Sequence, residues 1–325
     1  MSFKNSLQSL LCQLNDRYVR TMLDYEVLVP IIEYSRTVPR ILFQICLRGK
    51  DEDAQHVYPC LDKDLLNNIK ELRNNNPDYT YQLICDYEAR EFILKHYGER
   101  VYNYYLRINK KYGAARADFL RYLVLYATGG VYLDLKSTVL KALSQGIRED
   151  DSFLIMYWDS IPGGKRNSPT TSNLPKGELL TGFLVSSKGH PFMRKVIIQT
   201  LRNIDSYNPF REKTGTGVLR VTGNEMFSIA INSCVQGSQP NEMLGIRYEE
   251  AFHNFGFKLH FSEGELAQDY SSGDFQKKAG LTDYRKQMSP IVASPNICIR
   301  CVNNLYYFGA KCYLVIKKIM RRVNL

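Results

Sequence analysis

Apolar positions from Ala114 to Tyr126 recur at helical spacing. Ala117, Leu120 and Val124 share one side, with Phe119 and Leu123 beside them. Thr128-Gly129-Gly130 ends that helix, because glycine enters the left-handed region without a Cβ clash. Val131-Tyr132-Leu133-Asp134-Leu135 then predicts a short buried strand that turns charged at its end. In a strand, Asp134 and Lys136 are two apart and point to the same side. On the helix, Asp118 and Arg121 are three apart and share a face. The stretch from Tyr112 to Leu143 is the one around which the other elements are arranged.

The other elements follow in order. Residues 3–36 pattern as helix, with Leu7, Leu10, Leu11 and Leu14 on one face and Pro30 interrupting the second part. Val38 to Ile45 predicts the first strand and Lys63 to Asn74 a helix. NNNPDY, residues 74–79, predicts a turn, and Tyr79 to Cys85 a strand ending at Asp86. Tyr87 to Tyr97 is the next helix. Beyond the central stretch, Ser152–Trp158 and Leu180–Ser186 pattern as buried strands. A helix begins at His190-Pro191-Phe192 and runs to Ile204, and another spans Glu225 to Ser233. Between the two later strands, the run from Ile161 to Leu179 is rich in Gly, Pro, Ser and Thr, which marks a long flexible loop, either on the acceptor side of a site or closing over its donor. Strand, helix, strand, helix, strand in the first 135 residues predicts a largely parallel sheet, whose ligands bind at the carboxyl ends of the strands.

Composition adds limits. The chain has 325 residues, 44% of them hydrophobic, enough for a sizeable core. The formal net charge of +10 favours anionic partners. No basic run is interleaved with aromatics in the manner of a nucleic-acid stacking platform, so nucleic acid is not the expected partner. The 8 cysteines are scattered, with one CxxC at Cys298–Cys301 and no second pair to complete a zinc site. They read as mostly buried free thiols of a reducing compartment. The first twenty residues lack a secretory pattern, and no apolar run is long enough to span a membrane. The basic tail, Leu305 to Leu325, reads equally as a last packed helix or as a peripheral contact with an anionic membrane.

The run ARADFLRYLVLYATGGVYLDLK resembles the DXD-motif sugar-binding glycosyltransferases of the family 32 type. These include initiating mannosyltransferases and capsular-polysaccharide enzymes, and share a core with the glucosylating domain of large clostridial toxins. The matching positions are Arg116, Ala117, Asp118, Arg121, Tyr122, Leu125, Tyr126, Gly129, Gly130, Tyr132 and Asp134. Lys136 stands where the family usually has its second Asp. The resemblance implies an α/β glycosyltransferase-A fold, with a mixed, mainly parallel sheet flanked by helices. It divides the chain into an N-terminal helical cap (1–36), a catalytic domain (37–300) and a basic amphipathic tail (301–325). It further implies transfer of a hexose from a UDP- or GDP-sugar, with retention at the anomeric carbon, to a glycan, lipid or protein acceptor. Asp118 and Arg121 would contact the donor sugar, Tyr132 would sit near the ribose, and Asp134 would hold a divalent metal, Mn2+ or Mg2+. Gln44, Asp86, Asn224 and Ser289 fall where the family places further donor contacts. His190 belongs to a turn shared with the family and shapes that turn. With neither signal nor span, a cytoplasmic enzyme of bacterial or viral type is expected rather than a Golgi one.

Three readings of Lys136 stand. Asp134 alone, with water and a distant ligand, holds the metal. Or Lys136 substitutes for the metal's charge on the diphosphate. Or it pairs with Asp134 at the surface and does nothing more. Two other functions remain beside transfer. One is a catalytically impaired binding or scaffold protein that keeps the fold. The other is a basic protein that binds membrane or nucleic acid through charge alone.

Overall fold

The structure is a computed structural model that describes residues 24–48, 61, 63–158, 168, 170–174, 176–212, 214–236, 245–258, 287, 289–295, 300–305, 308–309 and 312–313. In chain order its named elements are α1 (Tyr25–Leu28), β1 (Ile41–Ile45), α2 (Lys63–Asn75), β2 (Thr80–Ile84), α3 (Asp86–Arg107), α4 (Gly113–Thr128) and β3 (Gly130–Leu133). There follow α5 (Leu143–Gly146), β4 (Phe153–Met156), β5 (Phe183–Ser186), α6 (Pro191–Asp205), α7 (Thr214–Val221), α8 (Asn224–Gln236), β6 (Ile246–Glu249) and α9 (Ala251–Phe255).

The strands form one sheet in the order β2-β1-β3-β5-β4-β6. β1 pairs parallel with both β2 and β3, as the βαβ pattern predicts, and β4 pairs parallel with β6. β5 pairs antiparallel with β3 and with β4. All strands except β5 therefore run the same way, and the sheet is mixed and mainly parallel, as expected.

Alternate residues of each strand enter different cores. Phe43, Ile45, Tyr132, Phe153, Ile155 and Leu184 pack with α3, α4, α6 and α8. Leu42, Val131, Leu133, Leu154, Met156, Phe183 and Val185 pack on the other face with Leu72 of α2, Leu143 of α5 and Phe255 of α9. A smaller cluster joins Cys46, Leu65, Ile69, Cys85 and Leu135 beyond the ends of β1 and β2.

α4 is buried almost all round, including Arg116, Asp118 and Arg121. Its apolar residues do not form one stripe because the helix lies between the sheet and other helices. Gly129 and Gly130 bring it straight into β3 at φ 71° and 116°. A Cβ on Gly129 would stand 2.5 Å from the Lys188 backbone nitrogen, and one on Gly130 2.7 Å from the Ile41 carbonyl oxygen. Only glycine meets both demands, the positive φ and the close approach.

Several expectations change. The N-terminal helical reading keeps one turn, α1; residues 29–36 are not helical, and residues 1–23 lie outside the described ones. Pro30 supplies no N–H, and its carbonyl accepts from the Tyr126 hydroxyl (2.9 Å), while the Ile32 N–H donates to that same oxygen (3.2 Å). The helix expected over Tyr87–Tyr97 runs on as α3 to Arg107, with non-helical geometry at Gly98. The strand expected to reach Leu135 stops at Leu133. Asp134 to Ser137 is a turn, closed by the Ser137 N–H on the Asp134 carbonyl at 2.8 Å. Asp134 and Lys136 are therefore not alternate residues of one strand, and no strand points them the same way. Cys46 and Cys85 are buried free thiols, pushed up by burial to about 11 and about 12, whereas Cys301 and Cys312 are free and exposed.

Residues 161–167, 169 and 175 of the long loop lie outside the described residues, as do His260, Cys298 and residues 281–286. His190 does what its sequence suggests. It is fully buried, caps α6 by accepting the Phe192 N–H at Nδ1 (3.2 Å), and is lowered by burial to about 3. Among the described residues no helix is long and apolar enough to cross a membrane. Residues 300–305 of the tail are helical, and Val302 and Leu305 are exposed.

Candidate functional site

The matched motif converges on one guanidinium. Arg121 projects from α4 beneath the carboxyl end of β3. Its Nη2 lies 2.9 Å from Asp118 Oδ1 and 3.4 Å from Asp134 Oδ1. Nη1 donates to the Thr181 carbonyl at 2.7 Å. The guanidinium carbon stands 4.4 Å from the centre of the Tyr132 ring. Helical spacing stacks Asp118 under Arg121, and the end of β3 brings Asp134 over it.

The Tyr132 hydroxyl donates to Asp134 Oδ1 at 2.8 Å. On the far side, the Thr222 hydroxyl donates to Asp118 Oδ2 at 3.1 Å. Thr222 is itself held by the Tyr122 hydroxyl, which donates to its carbonyl at 2.8 Å. Asp118 and Arg121 are buried, and Asp134 is the half-buried member that faces outward.

Asp134 is also fixed through its backbone. Its N–H donates to the Gly182 carbonyl at 2.8 Å, and its carbonyl accepts from the Gln44 amide at 3.2 Å. The Gln44 amide oxygen accepts from the Tyr81 hydroxyl at 2.9 Å. Gly182 lies against the second oxygen of Asp134, where a side chain would crowd it: a Cβ there would lie 3.0 Å from Oδ2.

Burial raises the Asp118 carboxyl to about 6, against the pull of Arg121, and the Asp134 carboxylate adds to the rise. Arg121 is held cationic: burial opposes its charge, and the surrounding groups, Tyr132, Asp118 and Asp134, more than reverse that. Burial also holds the Tyr132 hydroxyl protonated.

The sign of the pH effect follows. In the unfolded chain Asp118 titrates near 3.9, so between about pH 4 and 6 the folded state keeps a proton the unfolded state has lost. Through this group stability falls as pH rises across that window, by on the order of 2–3 kcal/mol. Asp118→Asn should therefore gain on the wild type as pH climbs from 4 to 6.5. Denaturant midpoints of both proteins over that range check this, and parallel curves would refute it.

The structure gathers some of the expected residues and places others apart. Asp118, Arg121, Tyr132 and Asp134 are in direct contact. Gln44 is buried and reaches the group through the Asp134 backbone. Asn224 opens α8 two residues after Thr222, with its amide hydrogen-bonded to the buried Glu178 carboxylate. Asp86 stands at the carboxyl end of β2, where it accepts the Arg48 N–H at 2.8 Å. Ser289 is near the start of α4: its carbonyl accepts from the Tyr112 hydroxyl at 2.6 Å. Lys136 is half-buried in the turn after Asp134.

The sequence had not singled out Thr181, Gly182, Thr222, Glu178 or Tyr81. Thr222 lies two residues before Asn224, which the resemblance had pointed to. Glu178 fastens the end of the long loop: its Oε1 accepts from the Ser168 N–H at 3.2 Å and from the Thr171 hydroxyl at 3.0 Å.

For a metal, the site offers one carboxylate, Asp134, with Oδ1 shared by Arg121 and Tyr132. Among the described residues no group of three or more His, Cys, Asp and Glu side chains is placed to hold one. Such a donor set fits a hard cation that arrives on a diphosphate and keeps water in its shell.

Residues 62–154 match a family model described as a glycosyltransferase sugar-binding region containing the DXD motif. The chain is 24% identical over 220 residues to the initiation-specific alpha-1,6-mannosyltransferase of Schizosaccharomyces pombe, covering 64% of this chain and 50% of that protein. It is 32% identical over 132 residues to inositol phosphoceramide mannosyltransferase 3 of the same yeast, covering 41% and 30%. It is 29% identical over 176 residues to the initiation-specific alpha-1,6-mannosyltransferase of Candida albicans, covering 50% and 42%. The chain thus spans half or less of the length of these curated relatives. Among solved structures, PaToxG glycosyltransferase is similar at 15% identity and TM-score 0.44, covering 85% of this chain and 97% of that one. The UDP-bound glycosyltransferase domain from the YGT toxin is similar at 10% identity and the same TM-score, covering 87% and 91%. The likeness to the DXD sugar-binding glycosyltransferases, stated from the central motif, holds over the region that carries Asp118, Arg121 and Asp134.

Proposed function

We propose that this chain is a glycosyltransferase that moves a hexose from a nucleoside-diphosphate sugar to a glycan-class acceptor, with retention at the anomeric carbon. The observation that carries the reading is the array of Asp118, Arg121 and Asp134 at the carboxyl end of β3, inside the region that matches the DXD family model. The retaining course rests on the family resemblance.

Breaking the bond between sugar and diphosphate builds negative charge on the leaving group and positive charge on the sugar. In this reading Asp118 and Arg121 bind and orient the sugar hydroxyls. Both are buried and locked by Thr222 and Thr181, so their positions are set before the donor arrives. Tyr132 and Gln44 act as positioning residues for Asp134, one on its side chain and the other on its backbone. Asp86 and Ser289 are the candidate contacts for the nucleoside end, and Asn224 for the sugar or phosphate.

Asp134 Oδ2 would be the protein's ligand to a divalent cation carried by the diphosphate. That cation would neutralise charge on the leaving group. Lys136, two residues on and in a turn, is the alternative source of positive charge.

Thermal stability against UDP- and GDP-sugars, each with Mn2+ and with EDTA, tests the reading, since a ligand of the native state raises the melting point. One donor that stabilises the protein, and is turned over in the same buffer, is expected. Stabilisation that needs Mn2+ assigns the charge to a cation, and equal stabilisation in EDTA assigns it to Lys136. Failure of every donor to bind would overturn the proposal.

A further inference from the structure

The directions of the strands bring a second group of side chains to the same rim of the sheet as Asp134. β3, β4 and β6 run the same way, so their carboxyl ends share one edge. Tyr132 and Ile155 face the α4 side. Asp134 is held on that face by the Tyr132 hydroxyl, Tyr157 packs against the same core, and Tyr248 joins it opposite Ile155.

Tyr157 and Tyr248 stack, with ring centres 5.9 Å apart and planes 12° from parallel. The Lys176 ammonium stands over both rings, 5.7 Å from the centre of Tyr157 and 4.9 Å from that of Tyr248. Tyr248 is 44% exposed, and Lys176 is exposed as well. Two to three strand spacings separate this pair from Asp134, about 10–15 Å. The strand between them, β5, begins just after Gly182, which has no side chain to block the way to Asp134 Oδ2.

We propose that Tyr157, Tyr248 and Lys176 form the acceptor subsite, and that the ligand is a carbohydrate whose pyranose ring lies against the tyrosines. A pyranose has an apolar face of C–H bonds and a rim of hydroxyls. The paired rings offer a broad, stiff apolar surface at little cost in side-chain entropy. The ammonium above them brings three hydrogen-bond donors to the hydroxyl rim, on a side chain long enough to move aside as the ring enters. The distance to Asp134 is that of a short oligosaccharide reaching from the platform to the donor sugar. Lys176 lies in the long loop, two residues before Glu178, whose carboxylate pins that loop to α8. Loop position and acceptor binding are therefore linked through one short segment.

This inference rests on the reading of the chain as a glycosyltransferase, and one experiment separates the two. The full chain, saturated with the donor that stabilises it, is applied to a glycan array together with Tyr248→Ala, Tyr248→Phe and Lys176→Ala. In parallel, hydrolysis of the donor by the wild type alone is followed. The expected result is that the wild type retains a defined set of glycans and that Tyr248→Ala weakens retention about tenfold or more. Tyr248→Phe, which keeps the ring, should recover it, and Lys176→Ala should weaken it severalfold. Two results overturn the subsite: a wild type that hydrolyses its donor and retains no glycan, or retention that Tyr248→Ala leaves unchanged while lowering the melting point. In the second case the aromatic pair does no more than seal the edge strand. A wild type that neither binds nor hydrolyses any nucleotide sugar overturns the underlying reading instead.

Discussion

Asp134→Ala is expected to lower the rate of transfer by on the order of a hundred- to a thousandfold or more while leaving the fold in place. The side chain is the outward member of the array, and its removal leaves Arg121 paired with Asp118 at 2.9 Å and bonded to the Thr181 carbonyl. No charge is stranded in the core, so the stability cost should stay within about 1–2 kcal/mol. On the proposed reading, what is lost is the carboxylate that would face the leaving diphosphate, and with it the fixed point for a cation. Turnover with the stabilising donor, beside melting curves and circular dichroism, measures both effects. A variant that keeps full activity would remove Asp134 from the mechanism, whatever its effect on binding.

Arg121→Met should act in the opposite proportion, with a large loss of stability as well as of activity. The guanidinium is buried and serves two carboxylates, a carbonyl and an aromatic ring. Taking one partner from a buried ion pair costs about 3–5 kcal/mol, because the remaining charge has nothing to offset its desolvation. Here the residue left behind is Asp118, already raised to about 6 with its partner present. Without Arg121 it should take up a proton at still higher pH, so the deficit should shrink as the solution is acidified. Arg121→Lys keeps the charge but not the fork that reaches Thr181 and Asp118 together, and should fall between the two. Urea midpoints at pH 5 and pH 8 for the three proteins test this, and a Met variant as stable as the wild type at pH 8 would contradict it.

Much of the first half of the chain was legible because its signals are local. The glycine pair, the apolar helix before it and the short strand after it define α4 and β3 within a residue or two. Asp118 and Arg121 share a face through helical spacing alone. The parallel pairing of β1, β2 and β3 follows from alternating strands and helices. What the sequence hid depends on distant partners. Nothing in Leu180–Ser186 says that it runs antiparallel between β3 and β4, and so nothing announces that Thr181 and Gly182 meet Arg121 and Asp134. The loss of helix over 29–36 has the same origin: the hydroxyl of Tyr126, far along the chain, takes the backbone bonds that a helix would have made internally. Lys136 was misplaced for a local reason, since the turn that ends the strand one residue after Leu133 has no glycine or proline to mark it. Glu178, in a segment that reads as a featureless loop, owes its burial to α8.

The reversed strand also bears on how the site comes into being. β2, β1 and β3 can zip together from neighbouring βαβ units, while β4, β5 and β6 form a second block. Among the described residues, the ladder between the blocks is β3 with β5. That seam is where Asp134 and Arg121 from one block take up Gly182 and Thr181 from the other. A nascent chain that has made only the first block already holds both carboxylates and the guanidinium, yet lacks the Thr181 carbonyl that orients the guanidinium and the Gly182 carbonyl that accepts the Asp134 N–H. Catalytic competence is then a property of the joined blocks, and misfolded or partly made chains would carry the full signature motif without the ability to use it.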